Sequence, residues 1–141
     1  DGDTDTYIGF DTNQIDIYAG GTQKVRFNTS DFISYSALKE DYDALSGTTP
    51  TIDVDAGGAF SLSTSGNTTF TFSSCTSGVG VGFILQLTAG GSHTITWPNS
   101  VDWAGGSAPD APASGETDIL VFVTRDGGTN WYGALALDAA A

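Results

Sequence analysis

Near the start of the chain, apolar residues come in pairs two positions apart: Ile8 and Phe10, Ile15 and Ile17, Val25 and Phe27. Within Gln14-Ile15-Asp16-Ile17-Tyr18 and Lys24-Val25-Arg26-Phe27-Asn28 the intervening side chains are polar, which is the period of two that marks a half-buried strand. The stretches Asp11-Thr12-Asn13 and Ala19-Gly20-Gly21-Thr22 separate the pairs as turns. Residues 1–30 therefore read as brief strands with one narrow apolar face. Isolated hairpins are marginal in water and units this small need outside help, so the expected cover is further copies of the chain. Ile8, Phe10, Ile15, Ile17, Val25 and Phe27 are then subunit-interface residues. The irregular spacing of the pairs argues against a strict single-chain solenoid.

Between 31 and 50 the pattern changes. Leu38, Tyr42 and Leu45 stand at i, i+4 and i+7, the spacing of a helical turn or two. The segment reads as a neck or connector, broken by Ser46-Gly47-Thr48-Thr49-Pro50. From Thr51 onward strands are expected over 51–54, 59–63, 68–73, 82–88, 93–97, 117–124 and 130–137, the recurrence of an antiparallel β-sandwich of jelly-roll type. Phe60 and Leu62, Phe70 and Phe72, Phe83 with Leu85 and Leu87, and Ile95 with Trp97 would share its core. Ile119-Leu120-Val121-Phe122-Val123 is apolar on both faces, as in a central strand or one covered by a neighbouring subunit. Leu120 and Phe122 are assigned to that interface. Pro98 to Glu116 reads as one extended loop, the kind of place where recognition is built.

Composition supports the all-β reading: of 141 residues 19 are glycine, and only 15% are charged. With 4 Lys and Arg against 17 Asp and Glu the net charge is -13, which disfavours nucleic acid and anionic lipid as partners. The acidity suits the solubility of a protein displayed at high density. One cysteine, Cys75, excludes an intrachain disulfide and a Cys-x-x-Cys metal cluster. No apolar run approaches a membrane span and no basic, apolar leader precedes Asp1. A chain that begins at Asp1 and contains no methionine reads as processed or as part of a longer polypeptide.

Candidate chemistry is sparse. Asp1-Gly2-Asp3-Thr4-Asp5 alternates carboxylates like a calcium loop, but Thr6 and Thr12 stand where an EF-hand needs Gly and Glu, so a solvated acidic segment is preferred and no metal is expected. Asp53 and Asp55 could share an ion and are equally well explained as an outward strand face. His93, the single histidine, shares a face with Ile95 and Trp97 and reads as a strand-end residue rather than a base. Asp102, Asp110, Glu116 and Asp118 lie in or beside the long loop, where paired carboxylates could serve glycoside hydrolysis. Acidic loop residues are too common here to carry weight. Among the aromatics, Trp97 and Trp131 fall on inward faces. Trp103 and Tyr132 are the candidates for exposure, and flat rings of this kind stack on sugars.

Two groups of segments carry a resemblance. Thr6-Tyr7-Ile8-Gly9-Phe10-Asp11, followed by Ile15-Asp16-Ile17 and Gly20-Gly21, resembles the short repeat of tail-fibre and related virion proteins of tailed bacteriophages, especially marine ones. Asn67-Thr68-Thr69-Phe70-Thr71-Phe72, Thr96-Trp97-Pro98, 101–109, Asp118-Ile119-Leu120 and Asp126-Gly127-Gly128-Thr129-Asn130-Trp131-Tyr132-Gly133 look like a module found at the ends of such fibres. The resemblance implies a homotrimer, a place on the virion surface among other virion proteins, and attachment to a host glycan or protein. It brings no catalytic residue and no cofactor, and the anchoring segment such fibres carry upstream is expected to have been removed or to belong to a longer polypeptide. The expected organisation is a shaft over 1–30, a neck over 31–50 and a head over 51–141, with Asp102, Trp103 and Tyr132 as candidate receptor-binding residues. The alternatives are a secreted or surface-displayed carbohydrate-binding module using Trp103 and Tyr132, and a polysaccharide depolymerase.

Overall fold

Residues 4–40 and 42–140 are described in a computed structural model of the chain. The chain divides into two compact units, Asp1–Lys39 and Glu40–Ala141. Within the segment 31–50, Phe32–Ser34 pairs as a strand in the first unit and Asp43–Leu45 in the second.

The N-terminal unit is a four-stranded antiparallel meander of β1 (Tyr7–Asp11), β2 (Gln14–Ala19), β3 (Thr22–Asn28) and β4 (Phe32–Ser34). Its turns follow from local chemistry. Asn13 takes a φ of 62° between β1 and β2, and Gly20 and Gly21 take 59° and 67° between β2 and β3, the left-handed pair that matches strand twist in a tight hairpin. The Asn28 carboxamide oxygen accepts from the backbone N–H groups of Ser30 and Asp31, shaping the turn into β4. β4 extends the meander past the predicted end at residue 30, with Phe32 opposite Phe27 and Ser34 opposite Val25.

The C-terminal unit is a two-layer β structure, all-β and sandwich-like as expected. Its connectivity is not that of an antiparallel jelly roll. The larger sheet has the order β12-β14-β13-β10-β7-β5, built from β5 (Asp43–Leu45), β7 (Ala59–Ser63), β10 (Val81–Thr88), β12 (Val101–Trp103), β13 (Thr117–Thr124) and β14 (Trp131–Ala140). The second layer consists of β6 (Thr51–Asp53), β8 (Thr68–Thr69), β9 (Thr71–Ser73) and β11 (Ile95–Thr96). β6 pairs with β9 and β11 with β8, both in parallel. Backbone bonds from Thr69 to Thr48, Thr71 to Pro50 and Phe70 to Thr96 join these pieces, so that 68–73 is the middle strand of one three-stranded layer.

The chain thus winds between layers: β5 to β6, β7 to β8 and β9, β10 to β11. On the larger sheet β5 pairs in parallel with β7 and β7 with β10. Three short solenoid-like coils result. The antiparallel pairs β10–β13 and β13–β14 then close the sheet, and β12 adds in parallel to the far side of β14. The coil arrangement corrects the helical neck: Asp43–Leu45 is an extended strand hydrogen-bonded to β7, because backbone pairing at a sheet edge outweighs a helical spacing carried by three residues.

The core lies between the layers. Phe60, Leu62, Phe83, Leu85, Leu87, Leu120, Phe122 and Trp131 from the larger sheet meet Ile52 and Phe70 from the smaller one. Phe72 packs edge-on against Phe83, Phe122 and Trp131, and Phe83 stacks on Phe122 at 4.7 Å. Leu120 and Phe122, expected at a subunit interface, are 1% and 0% exposed inside this core. A β-strand sends alternate side chains to opposite faces, and the inward set of β13 is Asp118, Leu120, Phe122 and Thr124. The outward set is Ile119, Val121 and Val123.

Candidate functional site

Of the three candidate receptor-binding residues, the structure brings two together. β12 and β14 run in parallel with Asp102 opposite Tyr132 and Trp103 opposite Gly133. Asp102 and Tyr132 therefore stand side by side on the outward face at one margin of the larger sheet, both exposed. Trp103 points the other way. Its ring packs edge-on against Trp97 at 5.3 Å and Phe122 at 5.5 Å, so it supports the core instead of offering a free platform. The space over Gly133 admits it there, since a Cβ at that position would press on the indole. The extended loop expected over 98–116 hides this arrangement, because the sequence of β12 is only Val-Asp-Trp and a three-residue strand leaves no periodic signal.

A second surface lies on the N-terminal meander. The register aligns Ile8, Ile17 and Val25 in one row and Phe10, Ile15, Phe27 and Phe32 in the next. The six interface residues predicted for this unit share this face, and Phe32 is a seventh that the sequence reading missed for want of a neighbouring apolar partner two positions away. Phe10 is 78% exposed, Ile8 57% and Phe32 55%. The opposite face carries Tyr7 stacked on Tyr18 at 4.6 Å and the ion pair of Asp16 with Arg26, whose Nε and Nη2 reach the two carboxylate oxygens at 2.8 and 3.1 Å. That bidentate contact, led by the hydrogen bond, holds the Asp16 carboxyl below its ordinary range and raises Arg26. Asp16 is the one buried residue among the described residues of this unit. A sheet whose single buried side chain is ionic has no apolar core of its own.

The other candidate groups have structural employment. Thr64 Oγ1 lies 2.8 Å from His93 Nδ1 and accepts from the Gly90 N–H, tying the turn after β10 to the segment after β7. Asp118, 1% exposed, accepts from the Ala139 N–H at 3.0 Å, where irregular register leaves that donor outside the β13–β14 ladder. Asp102 and Asp118 consequently sit on opposite faces of the sheet. Glu116 accepts from Ala113 within the loop, and Asp53 caps Asp55 in a turn. The Asp126 carboxylate accepts from the Asn130 backbone N–H, the Asn130 amide and the Thr124 hydroxyl, which together hold its pKa below the usual carboxylate range. Burial, with Asp126 and Asp55 nearby, pushes the Cys75 thiol up and keeps it protonated. Among the described residues no three of His, Cys, Asp and Glu gather in a metal-binding group, and no helix is long and apolar enough to cross a membrane. Asp1 and Asp3 of the acidic N-terminal segment lie outside the described residues. No protein-family model, curated protein or solved structure matches the chain at a significant level.

Proposed function

We propose that the chain is a structural subunit of a tailed-bacteriophage fibre, assembled as a trimer through the apolar face of β1–β4 and displayed on the virion surface. One observation carries this reading: a four-stranded sheet turns two rows of apolar side chains to solvent while burying no apolar side chain of its own. Covering a Leu-, Ile- or Phe-sized side chain contributes about 1.5 to 3 kcal/mol, and partial exposure at seven positions leaves much of that to be gained by association. The number three and the virion setting come from the resemblance of residues 6–21 and of the C-terminal segments to phage fibre sequences.

Host contact is assigned to the Asp102–Tyr132 margin, where a carboxylate able to accept from hydroxyls sits beside an exposed ring able to stack on a glycan. Trp103 holds this margin from the inner face. Light scattering on the protein at micromolar concentration tests the assembly: the parent should have the mass of several copies, and Phe10→Asp with Phe27→Asp should lower it. A parent that is monomeric sinks the proposal. A secreted carbohydrate-binding module would instead be a monomer whose glycan binding is lost in Tyr132→Ala.

A further inference from the structure

The turn Asp126-Gly127-Gly128-Thr129-Asn130 between β13 and β14 closes over a cavity of about 290 Å³. Ser73, Ser74 and Cys75 line it from the end of β9, and Gly127, Gly128 and Trp131 line it from the turn and the start of β14. Trp131 is 1% exposed, and its indole N–H, which borders this cavity, has no hydrogen-bond partner among the described residues. A Cβ on Gly128 would stand 3.1 Å from Trp131 Nε1 and 3.3 Å from the Cys75 Cβ, so glycine there keeps the space beside the N–H clear. The φ of 77° at Gly128 asks for glycine as well. The Asp126 carboxylate fastens the rim through Asn130 and Thr124. The geometry points to a ligand site that takes a neutral carbonyl group, the acetamido group of an N-acetylated sugar, with Trp131 Nε1 as its donor.

The balance of donors and acceptors selects a carbonyl. An indole nitrogen donates and cannot accept, and a donor on so buried a side chain is costly to leave unpaired. The Cys75 thiol, kept protonated by burial and by Asp126 and Asp55, is a second and weaker donor. The hydroxyls of Ser73 and Ser74 have no partner among the described residues. The two nearby carboxylates disfavour an anion, and an ammonium group would set N–H against N–H. What remains is a neutral acceptor. Shape selects a terminal group, because the cavity ends on Phe72 and Trp131, whose rings meet edge-on at 5.4 Å within the core. An acetamido group enters such a space end-on, its oxygen toward Nε1 and its methyl toward Phe72, whereas a peptide carbonyl needs a groove open at both ends. A volume of about 290 Å³ stands at the lower edge of the roughly 300 to 1,000 Å³ of small-molecule sites, room for one sugar unit. The choice of a sugar as the carrier rests on the host-contact reading above, whereas the donor site stands apart from the trimer and from the Asp102–Tyr132 margin.

Nitrogen-15 NMR of the full chain tests the site. The 3 tryptophans give separate indole N–H signals, and Trp131→Phe and Trp103→Phe assign two of them by loss. The parent is titrated with N-acetylglucosamine, and in parallel with glucose, glucosamine and N-acetylglycinamide. The inference expects N-acetylglucosamine to move the Trp131 signal saturably, with a dissociation constant on the order of 1 mM, while the other three compounds bind at least tenfold more weakly. In Trp131→Phe, which keeps a ring in the core and removes the N–H, binding followed at the Gly128 backbone amide should weaken at least tenfold. A Trp131 signal unmoved by N-acetylglucosamine overturns the site, and the parent alone decides this even if the variant fails to fold. An equal response to glucose overturns the carbonyl assignment, and an equal response to N-acetylglycinamide overturns the sugar in favour of a protein amide. Movement of the Trp103 signal instead of Trp131 places the sugar on the Asp102–Tyr132 margin and overturns this site while leaving the host-contact reading in place.

Discussion

Phe122 is the position where the two faces of β13 can be told apart most sharply. Its side chain is 0% exposed and its ring lies 4.7 Å from Phe83, 5.2 Å from Phe72, 5.4 Å from Trp97 and 5.5 Å from Trp103. Phe122→Ala removes a ring held on several sides, and buried Phe-to-Ala changes cost about 3 to 5 kcal/mol. With a urea dependence of about 2 kcal/mol per molar, the unfolding midpoint should fall by about 2 M. Val121→Ala, one residue away on the outward face, removes two methyl groups from a side chain 38% exposed. It should move the midpoint by less than about a quarter of that. The assay is urea unfolding followed by near-ultraviolet circular dichroism, with every variant at one protein concentration, because association shifts apparent stability by mass action. If Phe122→Ala unfolds within about 1 kcal/mol of the parent while Val121→Ala is the more damaging, the inward and outward sets have been exchanged and the core described here is wrong.

Acid should weaken the fold through Asp126 and Asp16. Both folded-state pKa values are lowered, so their stabilising effect is complete above the unfolded carboxylate pKa of about 3.9 and is lost as pH falls through the lower folded values. Melting temperatures from pH 7 to pH 2 should therefore decline more steeply below about pH 4 in the parent than in Asp126→Asn, and identical profiles would refute the role given to the Asp126 loop. Gly90→Ala places a Cβ inside the contact distance of the Thr64 carbonyl oxygen, a backbone atom that cannot swing aside. It should cost at least about 2 kcal/mol, or roughly 10 °C in melting temperature, whereas Gly80→Ala, which meets open space, should melt with the parent.

Alternation was legible wherever a strand ran long enough to repeat it. Tyr7–Asp11, Gln14–Ala19 and Thr22–Asn28 each show their apolar face in the sequence, and the hairpin turns between them fix the register that stacks those faces. The strands at Ala59–Ser63 and Thr117–Thr124 were read with their observed bounds for the same reason. Asp43–Leu45, Val101–Trp103 and Phe32–Ser34 were not legible, since three residues carry no period and exist as strands only because a neighbouring edge accepts them.

What the sequence determined by itself is the chemistry of each short segment: which residues bend, which alternate, and that the first three strands carry more oil than they can bury. Tertiary structure decided which strands become neighbours. Parallel pairing of Leu85 with Phe60 and of Ile52 with Phe72 joins residues far apart in the chain, and nothing local to either partner encodes the match. The same holds for β13. Its five apolar residues in a row leave both faces equally eligible for the core, and only the seating of Phe72 and Trp97 from the second layer commits Leu120 and Phe122 inward and leaves Val121 and Val123 facing out.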